Sequence, residues 1–269
     1  MAMTYSIRPP AVAGTFYPDN QSELRKVVDG YLNNAISVKE KRRNNLKALL
    51  IPHAGYLYSG PIAGNGYSLL RHTKGKINRV WLIGPAHHLL FTGLATTSYD
   101  LWETPLGQIT IDPLCGQLIK KYPTLFAENN PAHRDEHCLE VQIPFLQQLF
   151  SDFTIIPLLT GEFSLQAATK IINTELRPDD LIIISSDLSH YLLYNQAMDS
   201  DQETIDSIIA LEEDYLVEEN ACGLTGIKIL MQLAKLNKWK AELIDYRNSG
   251  DTAGDKDRVV GYASIGFWG

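Results

Sequence analysis

Three uninterrupted apolar runs constrain this chain more than any other feature: "ALLIP" (48 to 52), "VWLIG" (80 to 84) and "LIIIS" (181 to 185). A strand with one wet face alternates apolar and polar residues. A strand that is apolar at nearly every position is covered on both faces, as in a parallel sheet between two layers of helices. Helix-period segments separate the runs, so the pattern is one of alternating strands and helices. It predicts strands near 47–52, 79–84, 94–98, 153–159, 180–186, 240–246 and 258–267. Helices are expected near 21–35, 60–71, 113–121, 139–150, 164–176, 199–211 and 222–236. Asp19 or Asn20 can cap the first helix, and Ser164 the one that follows it. The expected fold is an α/β three-layer α/β/α sandwich. No linker-like tract divides the 269 residues, so residues 1–269 are expected to form a single domain.

The excess of 31 acidic over 24 basic residues, a formal charge of -7, argues against a nucleic-acid phosphate backbone as the partner. The one basic cluster, "KEKRR" (39 to 43), reads as a solvated connection. Cys115, Cys138 and Cys222 are far apart, odd in number and without C-x-x-C spacing, so no disulfide framework or zinc ribbon is indicated, and a cytoplasmic protein is expected. The first residues lack a secretory apolar region, and no apolar run is long enough to span a bilayer.

The chemistry gathers where the strands end. In open α/β sheets ligands sit outside the carboxyl ends of the strands, where loops converge and helix N-termini point inward. Four of the seven histidines lie at such ends: His53 in "IPHAGY", His87 and His88 in "IGPAHH", and His190 in "SSDLSH". One loop histidine is usually a structural hydrogen-bonder. Three strand ends carrying histidine point instead to a site. Neutral imidazoles joined by a carboxylate make a good transition-metal site with positions left for water, dioxygen or substrate. The candidate carboxylates are Asp187 in "SSDLSH" and Asp251 or Asp255 in the glycine-rich "NSGDTAGDKD". Asp187 and His190 are three apart, which makes His190 a candidate acid or base and Asp187 its orienting partner, although a purely structural cap by Asp187 is equally economical. Adjacent side chains on an extended backbone point apart, so His88 is expected to line the pocket rather than share an ion with His87. In "HRDEHCLEVQIPF", His137 and Glu140 would stand behind the ligands if the helix begins at the crevice, or face solvent if it does not.

Six motifs in order, "PAVAGTFYP", "IPHAGYLYSG", "IGPAHH", "DEHCLEVQIPF", "SSDLSHY" and "NSGDTAGD…VVGYAS", closely resemble the Memo family over almost the full chain. The resemblance implies a scaffold similar to class III extradiol dioxygenases and metal binding by His53 and His87, with Asp187 and His190 matching the family's S-S-D-x-x-H. The resemblance also implies a third ligand, since some eukaryotic members supply a cysteine from the stretch that aligns here with "SGDTAGD". That position is Thr252, a poor ligand, so Asp251 is the expected third ligand. Fe(II) is the expected metal, with zinc or copper as alternatives.

Two classes of function follow. One is a metal-dependent oxidoreductase acting on an unknown small molecule, with His190 and Asp187 handling protons. The other is a non-catalytic metal- or peptide-binding protein, or an accessory factor; the resemblance implies radical-SAM and Ammecr-type proteins as partners. Neither nucleic acid nor membrane is an expected partner.

Overall fold

The computed structural model describes residues 5–35, 45–73 and 77–269; the basic cluster at 39–43 lies outside the described residues. The chain runs through β1 (Ile7–Arg8), α1 (Gln21–Asn33), β2 (Leu46–Ile51), α2 (Tyr56–Ser68), β3 (Arg79–Pro85), β4 (Leu94–Thr96), β5 (Leu101–Thr104) and β6 (Gly107–Ile111). It continues with α3 (Leu114–Lys121), β7 (Phe126–Glu128), α4 (Asn130–Arg134), α5 (Ile143–Leu149), β8 (Thr154–Thr160), α6 (Leu165–Glu175), β9 (Asp180–Ser185) and β10 (His190–Leu192). The last elements are α7 (Tyr194–Ala210), α8 (Leu224–Asn237), β11 (Lys240–Asn248), α9 (Ser249–Thr252) and β12 (Val259–Trp268).

All strands among the described residues belong to one mixed sheet, with the spine β1-β5-β6-β8-β3-β9-β2-β12-β10. Its centre, β8-β3-β9-β2, is parallel, and the three apolar runs are its three inner strands. β12 closes antiparallel on β2 and carries β11 beside it. Register shows the two faces. Leu50, Ile184 and Ile83 stand side by side, as do Ile51 and Ser185 on the opposite face. Gly226 of α8 lies against Ile184 and Ile83, whereas Gly66 of α2 lies against Ile51. Helices therefore cover both faces, and every residue of β3 and β9 is buried. The α/β three-layer arrangement expected from the apolar runs is the one observed.

Both expected caps are present: the side chain of Asn20 accepts from Ser22 N and Glu23 N, and that of Ser164 from Ala167 N. Three helices differ from their expected bounds in ways that matter for the site. The helix expected from 60 begins at Tyr56, directly after His53-Ala54-Gly55. That expected over 139–150 opens as a tight turn at Glu140–Gln142, and α5 starts at Ile143 with Pro144 in its first turn. Proline cannot donate a helical hydrogen bond, so a regular helix cannot run through this point from 139. The helix expected from 222 begins at Leu224, leaving Cys222 just ahead of its first turn.

Candidate metal centre

His53 follows the end of β2 and is buried. Its backbone N–H donates to Asp187 Oδ1 at 2.7 Å, tying the end of β2 to the end of β9. Its ring places Nδ1 3.0 Å from Ser185 Oγ and Nε2 3.2 Å from the sulfur of Cys222. Burial, reinforced by neighbouring His87, pushes its pKa down to about 3, so the ring is a neutral ligand throughout the ordinary pH range.

His87 follows the end of β3, and Glu136 holds it at two points: His87 N donates to Oε2 at 2.7 Å, and Nδ1 lies 2.9 Å from Oε1. The same carboxylate accepts from the backbone N–H groups of His137 and Cys138, at 2.9 and 3.0 Å. Burial alone would raise the Glu136 pKa, but the hydrogen bonds from the His87 ring and backbone and from Cys138 N hold it well below the usual carboxylate range. An ionised carboxylate can only accept, so His87 presents Nδ1–H to it and turns a bare Nε2 into the cleft. His137 Nδ1 is 3.3 Å from Glu136 Oε1, and its ring lies 4.9 Å from that of His87 and 5.5 Å from that of His53. Burial, then His53, lowers the His137 pKa to about 4.

The third donor comes from the connection between α7 and α8. Cys222 Sγ accepts from Asp187 N at 3.3 Å, and Ser186 Oγ accepts from Gly223 N at 2.8 Å. A Cβ on Gly223 would stand 2.6 Å from Ser186 Cβ and 2.7 Å from Ser185 O, so only glycine lets this turn press against the end of β9. Gly84 plays the same part for the 136–139 loop: a Cβ there would meet Cys138 Sγ at 2.8 Å. Burial, then the nearby Asp187, pushes the Cys222 thiol up to about 12, so metal would have to displace its proton.

His53, His87 and Cys222 each offer an atom within 4.8 Å of the others. Ligands held about 2.0–2.3 Å from a common ion are separated by roughly 3.5 Å, and the 3.2 Å between Nε2 and Sγ is close to that. Two imidazoles and one ionisable thiol therefore fit a transition-metal ion. A cavity of about 840 Å³ reaches this group from the Cys222 side, lined among others by Pro85, Ala86, Leu216, Leu224 and Lys228.

The Memo-like protein family matches residues 8–266 of the chain. A MEMO1 family protein of Aquifex aeolicus is 38% identical over 273 residues, covering 97% of this chain and 99% of the relative. Another, from Archaeoglobus fulgidus, is 36% identical over 276 residues with the same coverage. The chain belongs to the Memo family. The Memo motifs distribute unevenly over the cleft: "IPHAGY" and "IGPAHH" deliver the two histidines, and "DEHCLEVQ" delivers the groups that hold them.

Asp251, expected as the third ligand, lies elsewhere. Its Oδ1 accepts from Tyr194 OH at 2.6 Å and its Oδ2 from Asn248 N at 3.0 Å, so it closes the turn at α9. Asp255 accepts from Asp257 N in the same exposed loop, and Thr252 Oγ1 donates to Ser249 O. Asp187 is buried and close enough to feel the charge of His190, and burial pushes its pKa up. It spends Oδ1 on His53 N rather than on His190, which sits exposed in β10. His88 is exposed. Glu140 is fully buried but faces away from the histidines: it pairs with Arg8 NH1 at 2.6 Å and accepts from Tyr17 OH and from Ala11 and Val12 N. Sequence reasoning missed Glu136 and Cys222. Glu136 was visible as an acid between a strand-end histidine and His137, and Cys222 as a Cys-Gly pair opening a helix.

Proposed function

We propose that His53, His87 and Cys222 hold a transition-metal ion and that the protein is a metal-dependent oxidoreductase acting on a small molecule in the adjoining cavity. The observation carrying this reading is the convergence of three donors, two with their outer nitrogens already engaged, beside a cavity of about 840 Å³. Three protein ligands leave a position open, which is the pattern of catalytic rather than structural sites. A bound ion of this kind supplies Lewis acidity and, if it is iron or copper, electron transfer.

The residues around the group have separable tasks. Glu136 fixes His87 and His137, and Asp187 joins two strand ends through His53 N. His137 brings a third imidazole to the cleft, and His190 stands at its exposed edge, so both are candidates to move a proton. Leu216 and Leu224 give the cavity apolar surface, while Glu218, Glu219 and Lys228 bring charge of both signs to its lining.

The donor set also supports a second reading. A thiolate is softer than the carboxylate expected from sequence and favours copper(I) or zinc, which suits a protein that holds or carries metal without turnover. Anaerobic purification without chelator, metal analysis, and dioxygen uptake with a panel of catechols separate the two. Stoichiometric iron with substrate-dependent uptake supports the enzyme. Tight copper(I) with no uptake supports carriage, and either no metal in the wild type or undiminished occupancy in His53→Ala would overturn both.

A further inference from the structure

Behind His53, on the side away from Cys222, lies a closed chain of buried polar groups. Ser185 and Tyr67 are fully buried and Gln142 is 1% exposed. Gln142 Nε2 donates to Pro52 O at 3.0 Å and to Ser185 Oγ at 2.8 Å, while its Oε1 accepts from Tyr67 OH at 2.8 Å. Ser185 Oγ lies 2.6 Å from Cys138 O and 3.0 Å from His53 Nδ1.

Two backbone carbonyls determine every proton in this chain. Pro52 O can only accept, so the Gln142 amide must turn its NH₂ toward it, and the second hydrogen of that NH₂ then points at Ser185 Oγ. Cys138 O can also only accept, and at 2.6 Å it must receive the single hydroxyl hydrogen of Ser185. Ser185 then has no hydrogen left for His53 and can only accept from it. Nδ1 must therefore carry the ring proton, which leaves Nε2 bare on the side of Cys222 and His87. The opposite tautomer would set two lone pairs against each other at Ser185 and turn an N–H toward the place where an ion would sit.

We infer that Ser185, oriented by Gln142 and by the carbonyls of Pro52 and Cys138, is the positioning residue that fixes the tautomer of His53 and keeps its Nε2 lone pair on the metal side. This rests on the metal reading above only for its functional consequence; the tautomer follows from the hydrogen bonds alone. The segment "EHCLEVQ" (136 to 142) thus sets both ligand histidines, His87 through the Glu136 carboxylate and His53 through Cys138 O and Gln142.

The test uses the full chain, metal-free and labelled with ¹⁵N-histidine, with His53→Gln assigning the His53 signals. Long-range proton–nitrogen spectra should show a protonated Nδ1 and a bare Nε2. A wild-type His53 protonated on Nε2 would overturn the inference, and this measurement needs no variant to fold. In folded Ser185→Ala, both tautomers should appear and cobalt(II) affinity should fall by about 10- to 100-fold; Ser185→Thr, which keeps the hydroxyl, should recover most of it. Wild-type affinity in folded Ser185→Ala would overturn the positioning role. A wild-type chain with the expected tautomer that binds no cobalt(II) would overturn the metal reading and leave the tautomer assignment standing.

Discussion

Cys222→Ser keeps nearly the shape of the side chain but removes the group that ionises under a metal's influence, because a hydroxyl does not give up its proton as a thiol does. Metal titration should show affinity lost by at least about 10-fold, the lower end of what perturbing even a ligand's outer partner costs. Asp251→Asn should leave stoichiometry and affinity unchanged, since that carboxylate caps a turn and bonds Tyr194. Loss of metal in Asp251→Asn with retention in Cys222→Ser would return the third position to the carboxylate. Glu136→Gln poses a different question. The amide can replace one carboxylate oxygen but brings an NH₂ against either His87 N–H or the donors at Oε1. A buried donor facing a donor costs about 1–3 kcal/mol, and a misdirected His87 lowers metal affinity by about 10- to 100-fold. Urea unfolding and cobalt(II) titration of the same preparation read the two effects separately.

At the scale of elements, the two residues of β1 do more than extend the sheet edge. Arg8 is fully buried, with Nε and NH2 donating to His133 O and Glu136 O, both at 2.7 Å, and NH1 paired with Glu140; Trp102 lies 4.3 Å from its guanidinium. The N-terminal segment is thus fastened to the loop that carries Glu136 and His137. Removing one partner of a buried ion pair typically costs about 3–5 kcal/mol because the other charge is left uncompensated. Arg8→Met should lose stability of that order in urea unfolding, and a loss below about 1 kcal/mol would mean that the loop holds itself. These elements explain what could be read in advance. β2, β3 and β9 announced themselves as unbroken apolar runs, and their length and burial fixed the three-layer arrangement together with the strand-end positions of His53 and His87. β1, β5, β7 and β10, of two to four residues, are too short to show a period. Glu140 looked like a member of a cleft-facing helix because nothing local reveals that Arg8 is its partner. Cys222 lies in a connection between two helices, and only the packing of Gly223 against Ser185 and Ser186 brings it to the histidines.

Taken as a whole, the molecule keeps three imidazoles neutral at a cost that acid should reveal. Burial holds His53 and His133 at about 3 and His137 at about 4, against an unfolded value of 6.5. Below pH 6.5 the unfolded chain therefore takes up protons that the folded chain refuses. The stability these residues permit is present in full above pH 6.5 and is lost as pH falls toward their folded values. Each such group weighs about 1.4 kcal/mol per pH unit within that window. Glu136, whose pKa is depressed, acts in the same direction below its unfolded value of 4.5. Asp187 and Asp201 act oppositely, since burial raises both and the folded chain gains protons there first. The two raised carboxyls therefore offset part of the slope that the three lowered imidazoles set. Metal-free protein should thus unfold at progressively lower urea concentration between pH 6.5 and 4.5. His133 lies outside the donor group and donates from Nε2 to Ala95 O at 3.0 Å, so His133→Gln separates acid sensitivity from metal chemistry. In that variant the slope should flatten by about one group while metal affinity at pH 7 holds. A slope in His133→Gln equal to that of the wild type would show that the His133 imidazole is protonated in the folded chain and does not set the acid sensitivity.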